Sequence, residues 1–236
     1  MTEKFTVKNI LSVSERTKAI KSVHKLREHW INRGGYFEYP FFSLGASSYM
    51  DAAEDQERYY RWANKFNPIL QAEYSWLYSK CAKHIEDTLS KPVIYDSRQA
   101  LPGFHIFLSD TLFEIPIASR HIDLQYRDLN WGDTQYDPNS AVSFTVYLQI
   151  PSSGGGIYSW DYTYNDLKGL ELQDREDKLA AEEPHYHKFN DGDMILHSGL
   201  HYHQIAAMQD VQENDARISL QGHAILDSDG VYRLYW

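Results

Sequence analysis

The chain has 236 residues, 42% hydrophobic and 24% charged, which is ordinary for a soluble globular protein and long enough to bury a substantial core. Its formal net charge of −10, with no Lys/Arg-rich run, argues against a nucleic-acid surface. The single Cys81 excludes an internal disulfide and a cysteine-based zinc site, and no apolar run approaches the roughly 20 residues that cross a bilayer.

The opening "MTEKFTVKNI" has no apolar core of signal-peptide length, and with the lone cysteine it sets the expectation of a cytoplasmic protein with no membrane partner. Next, "SERTKAIKSVHKLREHWINRGG" carries Ala19, Ile20, Val23, Leu26, Trp30 and Ile31 near helical spacing, with Ser14 as N-cap and Gly34-Gly35 as stop. A second helix is expected over "FNPILQAEYSWLYSKCAKHIEDTLS", capped by Asn67 with Pro68 in the first turn. Its buried stripe is Ile69, Leu70, Leu77, Cys81 and Ile85.

From about residue 92 the chain changes character. "PVIYD", "GFHIFLS", "FEIPIA", "RHIDLQY", "AVSFTVYLQI", "GGIYSWDY", "DMILHS", "HYHQIAAM", "ARISLQGHAIL" and "VYRLYW" are short and rich in β-branched and aromatic residues. Gly, Pro, Asn or Asp separate them, as expected of strands in a sandwich or jelly roll. A charged, weakly helical stretch, residues 165–190, interrupts the run as a lid or a surface insertion. The expected organisation is mainly β with N-terminal helices (α+β), a single domain over 1–236. Residues 1–91 form a largely helical support, and 92–236 a jelly-roll core, or double-stranded β-helix.

In "RHIDLQY", His121 and Asp123 stand two apart, so in an extended chain both side chains leave one face. An imidazole beside a carboxylate suits a first-row divalent metal, although His-X-Asp by itself arises often by chance. Further on, "DGDMILHSGLHYHQI" offers three histidines: His197, His201 and His203. In an extended chain His201 shares a face with His203, so the residues alone leave the choice of ligand open, with His197 in a packing position near the strand end. Downstream, "RISL" places Arg217 and Ser219 on one face of the next strand.

Taken in order, His-X-Asp, the strand "GDMIL", a following His and Arg-X-Ser resemble the iron(II)- and 2-oxoglutarate-dependent oxygenases over roughly residues 92–236. The resemblance implies a jelly roll with Fe(II) held by His121, Asp123 and His203. It implies 2-oxoglutarate as co-substrate anchored on Arg217 and Ser219, and O2 as oxidant. A guanidinium fork grips a carboxylate bidentately, and the hydroxyl adds a donor. The separation of Asp123 from His203 is long, which the 165–190 insertion explains. Asp123 occupies the position at which related halogenases carry a small residue, so hydroxylation is the expected outcome, with desaturation and ring closure as alternatives on the same metal set.

His105, Arg127, Trp131, Trp160 and His201 are candidates for the substrate side, each with a competing reading. His105 also suits a satisfied core histidine, and Trp131 and Trp160 suit core packing. His185 and His187 read as part of a solvated loop, His223 as structural, and Arg120 as a surface ion-pair residue. The function expected is oxygenation of a small molecule, an amino acid or natural-product intermediate, yielding succinate and CO2. A cupin-like metal site on His201 and His203 lacks the expected glutamate, since "QIAAMQD" follows. A non-enzymatic jelly-roll binding module leaves the ordered motif set unexplained. The sequence carries no signal for the oligomeric state.

Overall fold

The computed structural model describes residues 5–116 and 118–236. In chain order the strands are β1 Phe5–Asn9, β2 Ile31–Asn32, β3 Phe41–Leu44, β4 Val93–Tyr95, β5 Gly103–Leu108 and β6 Val142–Gln149. They continue with β7 Ile157–Thr163, β8 His185–His187, β9 Asp193–Ser198, β10 His201–Ile205, β11 Ala216–Leu226 and β12 Tyr232–Tyr235. The helices are α1 Val13–Lys25, α2 Gln56–Leu89, α3 Tyr164–Leu167 and α4 Leu172–Ala181.

The larger sheet runs β1-β9-β6-β11-β5-β3-β2, with β12 joining β11 and β4 beside it. A smaller sheet, β10-β7-β8, faces it. Apart from the parallel β12–β4 pair, the strand pairs are antiparallel. This is the jelly roll expected from the sequence. The first 91 residues are not only helical: β1, β2 and β3 extend the larger sheet at both edges.

The N-cap of α1 is Ser12, two residues before Ser14. Ser12 Oγ accepts from the Glu15 N–H at 3.3 Å while Glu15 Oε2 accepts from the Ser12 N–H at 2.9 Å, a reciprocal cap. Only Ser12 has a glutamate three residues on, and that decides between the two serines. The helix ends at Lys25, well before Gly34-Gly35, because β3 recruits Ile31 and Asn32 as a strand.

Helix α2 begins at Gln56 behind the Asp55 cap, so Pro68 lies inside it rather than in its first turn. Tyr59, Ala63, Phe66, Leu70, Tyr74 and Leu77 make one unbroken buried stripe across the proline. Burial of that stripe outweighs one lost backbone hydrogen bond, whose acceptor Asn64 sits on the exposed face where water serves it. Asn67 does not cap the helix. It ties it to the approach to β5 instead, donating to Gln99 O and accepting from Leu101 N at 2.9 Å each.

The main core lies between these helices and the outer face of the larger sheet. Val142, Phe144, Val146 and Leu148 of β6, Met194 and Leu196 of β9, and Ile218, Leu220 and Ala224 of β11 pack there with Leu70, Tyr74, Leu77 and Ile85. Side chains alternate along a strand, so Ser143, Thr145, Tyr147, His197, Arg217, Gln221 and His223 face the smaller sheet and line a cavity of about 400 Å³.

Some expected elements differ. "RHIDLQY" contributes a single bridge at His121 and then a short turn, Gln125–Asp128. "FEIPIA" opens with a turn, Thr111–Glu114, and its Ile117 lies outside the described residues. The 165–190 stretch folds into α3, α4 and β8, so His185 and His187 belong to a strand paired with β7, not to a solvated loop. Among the described residues no helix is long and apolar enough to cross a membrane.

Candidate metal centre

His121, Asp123 and His203 come together at one end of the cavity, their nearest ligand atoms all within 4.8 Å of one another. His203 Nε2 lies 3.4 Å from Asp123 Oδ2, and His121 Nε2 lies 3.9 Å from Asp123 Oδ1. The two histidines are joined through their backbones, each N–H donating to the other's carbonyl at 2.9 Å. Asp123 is held the same way, its N–H donating to Gly199 O at 2.6 Å. A Cβ on Gly199 would stand 3.0 Å from Asp123 Cβ, so glycine permits this close approach.

The ring orientations suit a metal. His121 Nδ1 donates to Ser119 O at 2.8 Å and His203 Nδ1 to His201 O at 2.9 Å, which turns both Nε2 atoms toward Asp123, where the neutral rings would offer them to a metal. Two imidazole nitrogens and one carboxylate oxygen are a donor set for a first-row divalent metal with positions left open.

Burial alone would raise the Asp123 carboxyl, but the charges of His203, His223 and His121 and a hydrogen bond from His203 outweigh it and hold it well below the usual carboxylate range. The Asp123 charge correspondingly raises His203 against the lowering effect of its own burial. Burial pushes His197 down to about 3 and lowers His121 and His223.

Asp123 is further held by Gln125 Nε2, which donates to Oδ1 at 2.9 Å, and by Ser143 Oγ, which donates to Oδ2. Ser143 Oγ also meets His223 Nδ1 at 2.9 Å. His197 stands edge-on against His203, ring centroids 4.7 Å apart, and lines the cavity while also packing on Phe5, ring centroids 5.0 Å apart. His223 likewise faces the cavity while tied into this network.

Arg217 is 3% exposed and lines the same cavity. Its Nη2 donates to Tyr147 Oη at 3.3 Å, its Nε has no partner, and no carboxylate among the described residues pairs with it. A buried guanidinium without a counter-ion is costly, and it suits an anionic ligand that brings the missing charge. The donor set and this arginine together fit a metal with a dicarboxylate beside it. Ser219 is fully buried between Arg217 and Gln221 on β11 and accepts from Gln221 Nε2 at 3.3 Å; it does not reach the cavity wall.

His105 lines the cavity at its far side, where Tyr49 Oη meets its Nε2 at 2.9 Å. Burial pushes His105 down to about 3, and its Nδ1 has no partner among the described residues. Tyr49 is placed by a five-residue π-turn, Ser48–Ala52, pinned by the buried Asp51. Arg33 grips Asp51 with two bonds of 2.7 and 2.8 Å, and the Ser47 N–H adds a third at 2.8 Å.

The remaining candidates stand away from the cavity wall. A β-bulge between His201 and His203 breaks the alternation that would have put both rings on one face. His201 pairs with Thr163 instead and serves the site through its carbonyl. Trp131 is core, its Nε1 donating to Tyr126 O at 2.7 Å, and Trp160 packs under α4 with its Nε1 on Leu179 O at 2.8 Å. Arg127 stacks over Tyr126 and Tyr164. Arg120 makes an ion pair with Glu176 on α4 at 3.3 Å.

No family model matches the sequence, and no curated protein matches it. Solved structures do resemble it in fold. One is a novel N-substituted L-amino acid dioxygenase from Burkholderia ambifaria AMMD in complex with alpha-KG, with a TM-score of 0.61 and 14% identity over 100% of this chain and 87% of that one. The non-heme alpha-ketoglutarate-dependent epimerase SnoN from nogalamycin biosynthesis gives 0.58 and 12% over 98% and 80%. HygX from Streptomyces hygroscopicus, with nickel, 2-oxoglutarate and hygromycin B bound, gives 0.52 and 13% over 94% and 83%. The chain therefore has the jelly-roll fold found in 2-oxoglutarate-dependent non-heme enzymes.

Proposed function

We propose that the protein is an Fe(II)- and 2-oxoglutarate-dependent oxygenase that hydroxylates an unactivated C–H bond of a small molecule, with release of succinate and CO2. One observation carries the reading. A buried guanidinium with no counter-ion among the described residues, Arg217, shares a cavity with the convergent set His121, Asp123 and His203. Bound iron would supply the redox chemistry that couples 2-oxoglutarate, O2 and substrate.

The chain's own part is positioning. His121 and His203 present Nε2, Asp123 balances metal charge, and Arg217 holds the far carboxylate of 2-oxoglutarate with Tyr147 beside it. Ser219, one register step along β11, backs this region from within the sheet. The buried, lone Cys81 fits work in a reducing compartment such as the cytosol.

The test is succinate formation from 2-oxoglutarate by the iron-loaded protein under air, screened over a library of small molecules. Stimulation by a substrate, lost in Asp123→Ala, is the expected result. A protein that binds neither Fe(II) nor 2-oxoglutarate overturns the reading.

A further inference from the structure

The three residues of the metal centre are not equally supported. His203 stands on β10, which pairs with β7, and its side chain is 5% exposed. Asp123 has a side chain 7% exposed and tied to β6 through Ser143. His121 has a side chain 36% exposed and belongs to no strand. Among the described residues, the bridge to His203 is its one backbone pairing. Its Nδ1 bonds Ser119 O, an atom of the same segment, so any shift of residues 118–123 carries the ring with it.

Behind His121 lies the 165–190 insertion. Arg120 and Ile122 flank the histidine, and both reach that insertion. Arg120 Nη1 donates to Glu176 O and to Glu176 Oε2 of α4, at 3.3 Å each, and its guanidinium lies over the Trp160 ring, 5.5 Å from the centroid. Ile122 packs against Trp160, Leu167, Leu179 and Tyr202. Leu179 is the one buried residue of α4, so the attachments of this exposed helix include both neighbours of His121. An exposed ion pair alone contributes little. Here the same guanidinium also bonds a backbone carbonyl and covers a ring that is 3% exposed, which fixes the arginine in one place.

We propose that Arg120 is a positioning residue for the metal centre, and that the 165–190 insertion is a brace which holds the segment carrying His121. A side chain already in place loses less freedom when a metal binds, so the brace raises metal affinity without touching the ion. The inference rests on the reading of His121, Asp123 and His203 as a metal centre.

The test is anaerobic Co(II) titration of the full chain, read by the visible absorption of the bound ion. Hydrogen exchange at the His121 amide is measured beside it on the metal-free chain. Arg120→Ala should weaken Co(II) binding about fivefold or more, shift the absorption band, and speed exchange at the His121 N–H. Glu176→Ala leaves the backbone acceptor in place and should lose less. Arg120→Lys keeps a cation over Trp160 and should recover part of the affinity. Lys178→Ala, an exposed change on the same helix, should leave both readouts at wild-type values. Glu176→Ala truncates a partly exposed side chain, so it tests the brace even where Arg120→Ala fails to fold. Unchanged Co(II) affinity or unchanged exchange in Arg120→Ala overturns the proposal, as does a loss matched by a fall in the urea midpoint of the whole fold. If the wild type binds no Co(II), the metal-centre reading falls, and exchange at His121 decides whether the insertion braces this segment.

Discussion

His121 and His203 are 82 positions apart in the chain, yet each backbone N–H donates to the other's carbonyl at 2.9 Å and their rings stand 4.3 Å apart. This reciprocal pair fixes the register between the bridge at His121 and strand β10, and so fixes both Nε2 atoms relative to Asp123. His201 enters through its carbonyl, which orients the His203 ring.

That division of labour predicts unequal variants. His203→Ala should abolish metal binding, whereas His201→Ala keeps the carbonyl and should retain it. Equilibrium dialysis against Fe(II) under anaerobic conditions checks both. Loss in His201→Ala with retention in His203→Ala would mean the register at "HSGLHYHQI" is wrong by two residues.

Ser143 should matter for the metal without touching it. Ser143→Ala removes one hydrogen bond to Asp123 and the link to His223. Removal of such an outer partner typically costs about 10–100-fold in metal affinity. Competition with a chelator measures it, and an unchanged affinity would show that Asp123 is oriented by its backbone and Gln125 alone.

Much of this site was legible in the sequence through simple alternation. "AVSFTVYLQI" sets Ser143, Thr145 and Tyr147 against Val142, Phe144, Val146 and Leu148, and "RISLQGHA" sets Arg217, Ser219, Gln221 and His223 against Ile218, Leu220 and Ala224. The polar face of an antiparallel strand usually meets solvent; here it meets a cavity, which is why His197 and His223 read as packing or structural residues. Other features had no local signal. The bulge that separates His201 from His203 depends on pairing with β7, and Tyr49 reaches His105 only because the buried Arg33–Asp51 pair pins a π-turn. The α2 start was obscured because Pro68 reads as a beginning when the buried stripe continues through it.

Arg217 should behave as a co-substrate residue. Truncating one partner of a buried, charge-assisted pair costs about 2–5 kcal/mol, and each 1.4 kcal/mol is about tenfold. Arg217→Ala should therefore raise the 2-oxoglutarate requirement by roughly thirtyfold or more while the metal still binds. Lys should rescue only part, since an ammonium lacks the planar fork. Saturation curves at fixed iron decide it, and identical curves for wild type and Arg217→Ala would make the arginine structural.

The α1 cap gives a pH-dependent contribution to stability. Lys80 and the Ser12 backbone and side chain lower the Glu15 carboxyl from the usual 4.5 to about 2. The folded value lies below the unfolded one, so this stabilisation is present above about pH 4.5 and lost as pH falls toward 2. Glu15→Gln should lower the urea midpoint at pH 7, and its difference from wild type should shrink steadily below about pH 4.5. A difference that stays constant with pH would remove the charge from the explanation.

If one cavity holds a metal on His121, Asp123 and His203 and a dicarboxylate on Arg217, the two ligands should bind in order and in concert. Anaerobic calorimetry, with Fe(II) titrated first and 2-oxoglutarate second, tests both halves in one experiment. One Fe(II) per chain should bind, followed by one 2-oxoglutarate whose binding is strengthened by the metal. Asp123→Ala should lose the first event and Arg217→Ala should weaken only the second. Iron binding that survives Asp123→Ala undiminished, or 2-oxoglutarate binding indifferent to both substitutions, would contradict it.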